Sequence, residues 1–384
     1  MVAHNKTGKP LGQEETIRIC FVAPKVYPLF NPQVEEVFGG AEVDLYFLAT
    51  ELAKDKNFRV FFMVADYGQP EQEIYENVTV VKSVNFRQNA LAGARQIWKA
   101  CHAISADIYF AKTVSLGIPL ISFFCQLRKK YFIFRTANDQ ECNGVYVQKH
   151  PILARFYLRA IRDAAAVFTQ NVTDQENLYK TTGVYSFAIS NGKRLQPVSF
   201  ENRKAILWVG RSDAIKRPDL FVKLAQELPN YPFTMICQKA TYDAGYEELL
   251  LQTSQVRNLQ FIKRVPFQEI DRYFAQSAVF VNTSDSEGFP NTFIQACQCG
   301  TPILSLKVNP DDFLNRYQCG MCAEGDWDRF VSQFHQLQDP ETAKSYGENG
   351  RKYAEEHHDI RKIIEQYKTI FQRLVGKKQE RNRQ

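Results

Sequence analysis

Glu287 is followed by Gly288, Phe289, Pro290 and Asn291, and this run lies between an apolar stretch, Ala278-Val279-Phe280-Val281-Asn282, and a helical pattern through Phe293, Ile294, Gln295 and Ala296. The apolar stretch predicts a buried parallel strand. Pro290 predicts the first helical turn, where a missing N–H costs nothing. The free amides of that turn, with Gly288 admitting close approach, would bind phosphate at the positive end of a helix dipole. Glu287 cannot itself hold an anion, because like charges repel, and is better suited to a hydroxyl-rich group attached to the phosphate. Phosphate joined to a polyol describes a nucleotide sugar. A plainer reading of Glu287 is compensation of the helix dipole, worth about 0.3–1 kcal/mol and needing no ligand. Phe289 reads equally well as core.

Cations are the second requirement, since the diphosphate of such a ligand carries negative charge that preorganised positive groups balance. Arg211 and Lys216 follow the strand-like run Ala205-Ile206-Leu207-Trp208-Val209-Gly210, where a loop at the sheet's carboxyl end can aim them into a cleft. Arginine supplies a planar fork and lysine a movable point charge, a suitable pair for two phosphates. The alternative is surface pairing with Asp213 or Asp219, and either Lys216 or Arg217 could be the inward residue. Gly39-Gly40, opening a long helix after a proline-containing segment, would let backbone approach a ligand. Asn138 and Asp139 follow the run Tyr131-Phe132-Ile133-Phe134-Arg135, where they could bind sugar hydroxyls or an acceptor, or simply form a turn or helix cap.

Together these segments resemble the retaining glycosyltransferases of the family 4, or glycosyl transferases group 1, type. The stretch from Glu287 to Gln295 is similar to that family's E-x7-E region, Gly210-Arg211-Ser212-Asp213-Ala214-Ile215-Lys216 to its G-R-x(4)-K signature, and Phe38-Gly39-Gly40-Ala41-Glu42 to its acceptor-side glycine loop. The order of the three motifs is more specific than any one of them. The resemblance implies a GT-B fold and places Arg211 and Lys216 on the donor diphosphate. It implies Glu287 near the transferred sugar, with Gly288, Phe289, Pro290 and Asn291 offering amides to phosphate or sugar. It also implies front-face transfer in which the leaving phosphate accepts the acceptor's proton, with no metal and no cofactor beyond the donor. Two positions depart from the pattern. Gln295 stands where the family has a second glutamate holding ribose hydroxyls, and glutamine keeps one carbonyl acceptor for that task. The segment Arg135-Thr136-Ala137-Asn138-Asp139 carries no histidine where many members have one. His102 and His150 fall at helix ends and read as structural.

The elements that must position these residues alternate. Strand-like runs at Ile17–Ala23, Arg59–Val64, Asp107–Ala111, Tyr131–Arg135 and Ala165–Thr169 are separated by helical stretches, the first from about Glu42 to Lys54; a second set comprises Ala205–Val209, Pro232–Cys237, Leu259–Ile262, Val279–Val281 and Pro302–Ser305. This rhythm predicts two α/β, Rossmann-like, doubly wound parallel-sheet domains facing across a cleft. The expected division is residues 1–190 on the acceptor side, 191–341 for the nucleotide sugar, and 342–384 as a helix crossing back, followed by a solvated basic tail from Gly376. Ser190-Asn191-Gly192-Lys193 is the expected hinge. A length of 384 residues with 45% hydrophobic and 13% aromatic composition suffices for two cores.

Composition removes several function classes. The +6 charge comes from 48 basic and 42 acidic residues spread along the chain, so no nucleic-acid partner is expected. No stretch approaches the roughly 20 apolar residues of a membrane span, and Met1–Lys6 lacks a signal-peptide core; a cytoplasmic location follows, with peripheral contact at the inner membrane surface open through Gln126–Tyr131 and Arg155–Arg162. The nine cysteines read as buried small hydrophobes, because Cys297 and Cys299 on one helix point apart and cannot share an ion. A nicotinamide dehydrogenase lacks its G-x-G-x-x-G, and an epimerase its acids in both cleft walls. The expected activity is transfer of a sugar from a nucleotide sugar donor to a glycan or lipid-linked acceptor, in polysaccharide or glycoconjugate synthesis. The competing class is a catalytically silent nucleotide-sugar or glycan-binding protein on the same scaffold.

Overall fold

The computed structural model describes residues 16–36, 38–240 and 245–383; the expectation for Met1–Lys6 lies outside them. Eight strands form the first sheet: β1 (Ile17–Val22), β2 (Phe58–Val64), β3 (Gln72–Tyr75), β4 (Val78–Lys82), β5 (Ile108–Lys112), β6 (Tyr131–Arg135), β7 (Ala166–Thr169) and β8 (Phe187–Ala188). Their spatial order is β3-β4-β2-β1-β5-β6-β7-β8. The second sheet holds β9 (Ala205–Arg211), β10 (Phe233–Gln238), β11 (Leu259–Ile262), β12 (Ser277–Asn282), β13 (Ile303–Ser305) and β14 (Gly320–Cys322) in the order β11-β10-β9-β12-β13-β14. Apart from β3, which runs antiparallel to β4, the pairings are parallel. The second order is that of a doubly wound nucleotide-binding sheet.

The strands are apolar almost throughout because helices cover both faces of each sheet. Alternation divides them: Phe21, Phe62, Phe110 and Phe168 enter one core, while Phe61, Tyr109, Phe132 and Phe134 enter the other. Neither strand of the β3–β4 hairpin was among those expected; Gln72–Tyr75 is polar and lies at the sheet edge, whereas Val78–Lys82 is apolar and lies inside it. Its signal is the two-residue loop Glu76-Asn77, both at positive φ (46° and 64°), as a hairpin turn of this hand requires.

The C-terminal expectation needs correction. In place of one helix from Thr342, two helices, Pro340–His357 and Ile360–Arg383, meet at a break formed by His358 and Asp359. The first packs on the helix Asn291–Gln298 and the second on the helix Gly40–Leu52. The backbone from Gly376 to Arg383 continues as helix, so the tail is not an irregular extension.

The predicted hinge is likewise no solvated turn. Asn191 and Lys193 are buried. The Lys193 amide donates to the His358 carbonyl at 2.7 Å and the Ile360 amide to the Lys193 carbonyl at 3.0 Å. The outgoing and returning crossings between domains are therefore hydrogen-bonded to each other. Gly192 is required here, because a Cβ would come within 2.4 Å of Ile360 Cδ1.

His358 makes this junction pH-sensitive. Its Nδ1 lies 2.8 Å from the Asn191 carbonyl; burial, opposed by that bond and reinforced by His357 and Lys193, pulls its pKa down to about 4. A buried neutral histidine gains a proton more readily once unfolded, so its contribution is present above about pH 6.5 and is lost as pH falls towards 4. The full effect is about 3 kcal/mol. Glu141, pushed up to about 7 chiefly by burial, acts with the opposite sign in an overlapping window. Urea midpoints measured between pH 7 and 4 should therefore lose less stability on acidification in His358→Phe than in wild type; equal slopes would remove His358 as the cause.

Candidate active site

Carboxyl ends of the two sheets face one cleft. In the second sheet the chain continues from β9 to one side and from β12 to the other, so the loops after these neighbouring strands part and leave a crevice, the usual ligand position in such sheets. Arg211 ends β9, Lys216 lies in the short turn Ala214–Lys216 just beyond it, and Glu287 lies in the loop after β12. The two loops are tied together. Thr283 Oγ1 lies 2.9 and 2.8 Å from the Lys216 and Arg217 carbonyls, and the Asp285 amide donates to the Ile215 carbonyl at 2.8 Å.

The cleft has two adjoining lobes of about 250 and 480 Å³. Gly39, Gly40, Arg211, Lys216, Glu287 and Asn291 line both. Val209, Ile236, Val265, Phe267 and Ile270 give the smaller lobe an apolar wall, with Gln295 beside it. The larger is walled by Lys112, Asn138, Asp139, Gln170, Gly288 and others. Every site residue expected from the sequence therefore lines at least one lobe.

Glu287 and Lys216 form an ion pair at 2.5 Å. Glu287 also accepts from Ser284 Oγ at 2.7 Å and Asn282 Nδ2 at 3.1 Å, so its carboxylate is held in one orientation. Lys216 is the inward residue of the Lys216-Arg217 pair. Arg217 turns out to Asp219 at 2.8 Å. Arg211 reaches the cleft while pairing with Asp213 at 2.9 Å, so the surface partner and the cleft position coexist.

Pro290 departs from its expected place. It precedes the helix Asn291–Gln298 as cap residue with extended ψ of 128°, and Asn291 begins the helix. Asn291 is also already engaged, its Nδ2 donating to the Gly40 carbonyl at 2.7 Å and its Oδ1 accepting from Asn191 at 3.3 Å. A Cβ on Gly40 would meet that nitrogen at 2.7 Å, which explains the glycine as an interdomain contact. Phe289 is core, packed on Phe313, Tyr353 and His358, while keeping an edge on the larger lobe. Gln295 is buried, and its Nε2 donates to Asp271 at 3.3 Å. Its carbonyl is thus the end that can accept from a ligand. Asn138 caps the turn Asp139–Glu141 by accepting from the Glu141 amide at 3.2 Å, and Asp139 accepts from Ser286 Oγ across the cleft at 3.1 Å. His102 beside Arg128 and His150 against Tyr146 line neither lobe. All nine cysteines are buried, Cys299 lying just past its helix, and no cluster suited to a metal occurs among the described residues.

Sequence reasoning missed the support beneath these residues. Arg135, buried at the end of β6, donates to Asn191 Oδ1 at 2.6 Å and to the Ile189 carbonyl at 2.8 Å. A guanidinium cannot accept, so Asn191 must turn its oxygen to Arg135 and its nitrogen outward. That nitrogen donates to Gln170 Oε1 at 3.0 Å and to Asn291 Oδ1. One arginine thereby fixes three amides whose orientation would otherwise be ambiguous, and leaves Gln170 Nε2 at the wall of the larger lobe without a protein partner among the described residues. Asp44 accepts from Lys112 at 2.7 Å and lies 3.3 Å from Arg135. Burial alone would raise its carboxyl, but the two cations outweigh it and hold it below the usual range. The available signal was Arg135 itself, a charge closing an otherwise apolar strand.

Residues 192–353 match the family model described as Glycosyl transferases group 1. An uncharacterized glycosyltransferase of Methanocaldococcus jannaschii is 21% identical over 365 residues, spanning 87% of this chain and 91% of that protein. Sucrose-phosphate synthase from Thermosynechococcus elongatus superposes with a TM-score of 0.75 at 16% identity, covering 94% of this chain and 99% of that one. The Anabaena protein HepE, solved in complex with UDP and glucose, gives 0.69 at 14% identity over 92% and 98% of the two chains. At such identities the two superpositions establish the shared fold. The chain is a glycosyltransferase of GT-B architecture, and its residues 192–353 match the glycosyl transferases group 1 family.

Proposed function

We propose that this enzyme transfers a sugar from a nucleoside diphosphate sugar to a hydroxyl of a glycan or lipid-linked acceptor, with retention at the anomeric carbon. The observation that carries the reading is the convergence of Arg211, Lys216 and Glu287, from two separate loops, on one cleft. The apolar wall of the smaller lobe suits a nucleobase, with the Gln295 carbonyl placed to accept from a ribose hydroxyl. Arg211 and Lys216, rather than a metal, supply the positive charge for the diphosphate. The larger lobe, with Gln170, Asn138 and Asp139, suits the sugar and the acceptor. Glu287, tied to Lys216, couples the sugar's position to the phosphate's. In this reading the bond from the anomeric carbon to the diphosphate oxygen breaks as the acceptor oxygen bonds on the same face, and the leaving phosphate takes the acceptor's proton.

HepE is described with UDP and glucose, and the Escherichia coli trehalose-6-phosphate protein with UDP-2-fluoro glucose, which makes UDP-sugars the first donors to try. Thermal-shift measurements against UDP-, GDP- and ADP-sugars should pick out one nucleotide, since a ligand at a hundred times its dissociation constant adds about 2.7 kcal/mol. No shift with any of them would overturn the reading. A second reading, a silent binding protein, is favoured by Gln295 and by the absence of a histidine between Arg135 and Asp139. Slow hydrolysis of the bound donor separates the two, because only the enzyme performs it.

A further inference from the structure

The outer face of the first domain carries apolar side chains that neither of its cores uses. Leu116, just ahead of the helix Gly117–Leu127, is 74% exposed; Phe123 and Leu127 on that helix are 58% and 60% exposed, and Ile152 and Phe156 on the neighbouring helix Pro151–Arg162 are 70% and 58% exposed. A helix that only roofs a sheet is apolar inward and polar outward. Pro151–Arg162 already buries Ala154, Tyr157, Ala160 and Ile161, yet presents Ile152, Leu153 and Phe156 to solvent as well. Between the two helices runs a groove of about 520 Å³ lined by Leu116, Pro119, Leu120, Tyr146, Leu153 and Phe156.

Charge on this face is one-sided. From residue 117 to 162 the basic side chains outside the core are Arg128, Lys129, Lys130, Lys149, Arg155, Arg159 and Arg162, whereas the acidic ones are Asp139, in the cleft, and buried Glu141. Asp163 and Asp107, just outside this span, pair with Arg159 at 2.5 Å and with Lys130 at 3.4 Å. Apolar side chains ringed by cations match an anionic bilayer surface, where the apolar groups enter the headgroup boundary and the cations meet phosphate. Position agrees, because the groove begins at Val114 and Ser115 while Thr113 lines the larger lobe of the cleft.

We propose that the paired helices Gly117–Leu127 and Pro151–Arg162 dock on an anionic phospholipid bilayer. Docking stands on this face alone. Its corollary, that the acceptor hydroxyl is carried on a lipid at that surface, rests on the transfer reading above.

Sedimentation of the full chain with vesicles of phosphatidylcholine, with and without phosphatidylglycerol, tests it. Wild type should bind the anionic vesicles and release as salt rises. Ile152→Glu/Phe156→Glu and Arg155→Glu/Arg159→Glu should each weaken binding about tenfold or more, while the thermal shift given by a nucleotide sugar stays at the wild-type value. Equal binding to neutral vesicles, no binding to anionic ones, or unchanged binding by both variants would overturn the proposal. So would a dimer, seen by gel filtration, that Ile152→Glu/Phe156→Glu disperses while lipid binding is absent, since the face would then serve a second copy. The nucleotide-sugar shift reports the cleft separately, so failure of docking and failure of the transfer reading are distinguishable.

Discussion

Lys216→Ala should lower kcat about 10²–10³-fold and leave the fold intact, the loss expected when one preorganised charge is removed from a developing anion. Lys216 sits in a short turn held to the β12 loop by backbone and Thr283 contacts that the substitution does not touch. The carboxylate it abandons keeps Ser284 and Asn282 as donors, so Glu287 is not left buried and unsatisfied. The effect should therefore appear in catalysis rather than stability. Steady-state kinetics with the donor identified by thermal shift, beside melting curves, measure both. A kcat within twofold of wild type would remove Lys216 from the leaving-group site, and a collapsed melting temperature would show its role to be structural.

Arg135→Met is the complementary case, with its cost in stability. Breaking a buried ion pair by removing one partner costs about 3–5 kcal/mol, because the remaining charge stays desolvated. Here the substitution weakens the cation environment of Asp44, leaves the Ile189 carbonyl without its donor, and releases Asn191 to flip. Methionine fills similar volume, so the loss is electrostatic and hydrogen-bonding rather than a cavity. Urea unfolding should register it as a lower midpoint. A change below about 1 kcal/mol would mean that Lys112 alone suffices to compensate Asp44.

The strands were legible where they are apolar on both faces, since a run such as Phe58–Val64 has no other stable place than between helices. The cleft residues were legible because strand ends in a parallel sheet converge and because glycines and charges there break an apolar pattern. What escaped was pairing at a distance. Nothing local in Asn191, Gln170 or Asn291 tells that Arg135 orders all three, because the contacts join residues 21 to 100 positions apart. β3 escaped because it is a polar edge strand, and the helix break at His358 was missed although Asp359 signals it locally by accepting from the Arg361 amide at 3.0 Å, as an N-cap residue does. Pro290 was misplaced by one position, a distance that propensity alone cannot resolve.

Ile360, Ile363, Ile364, Tyr367 and Phe371 belong to the same apolar cluster as β1 and β2. The first domain is thus built from segments on both sides of the second domain in the chain. During synthesis its first strands keep one flank uncovered until the helix Ile360–Arg383 has been made, whereas the intervening domain has its own clusters and can close before that. The order of maturation expected from this packing is the second domain before the first.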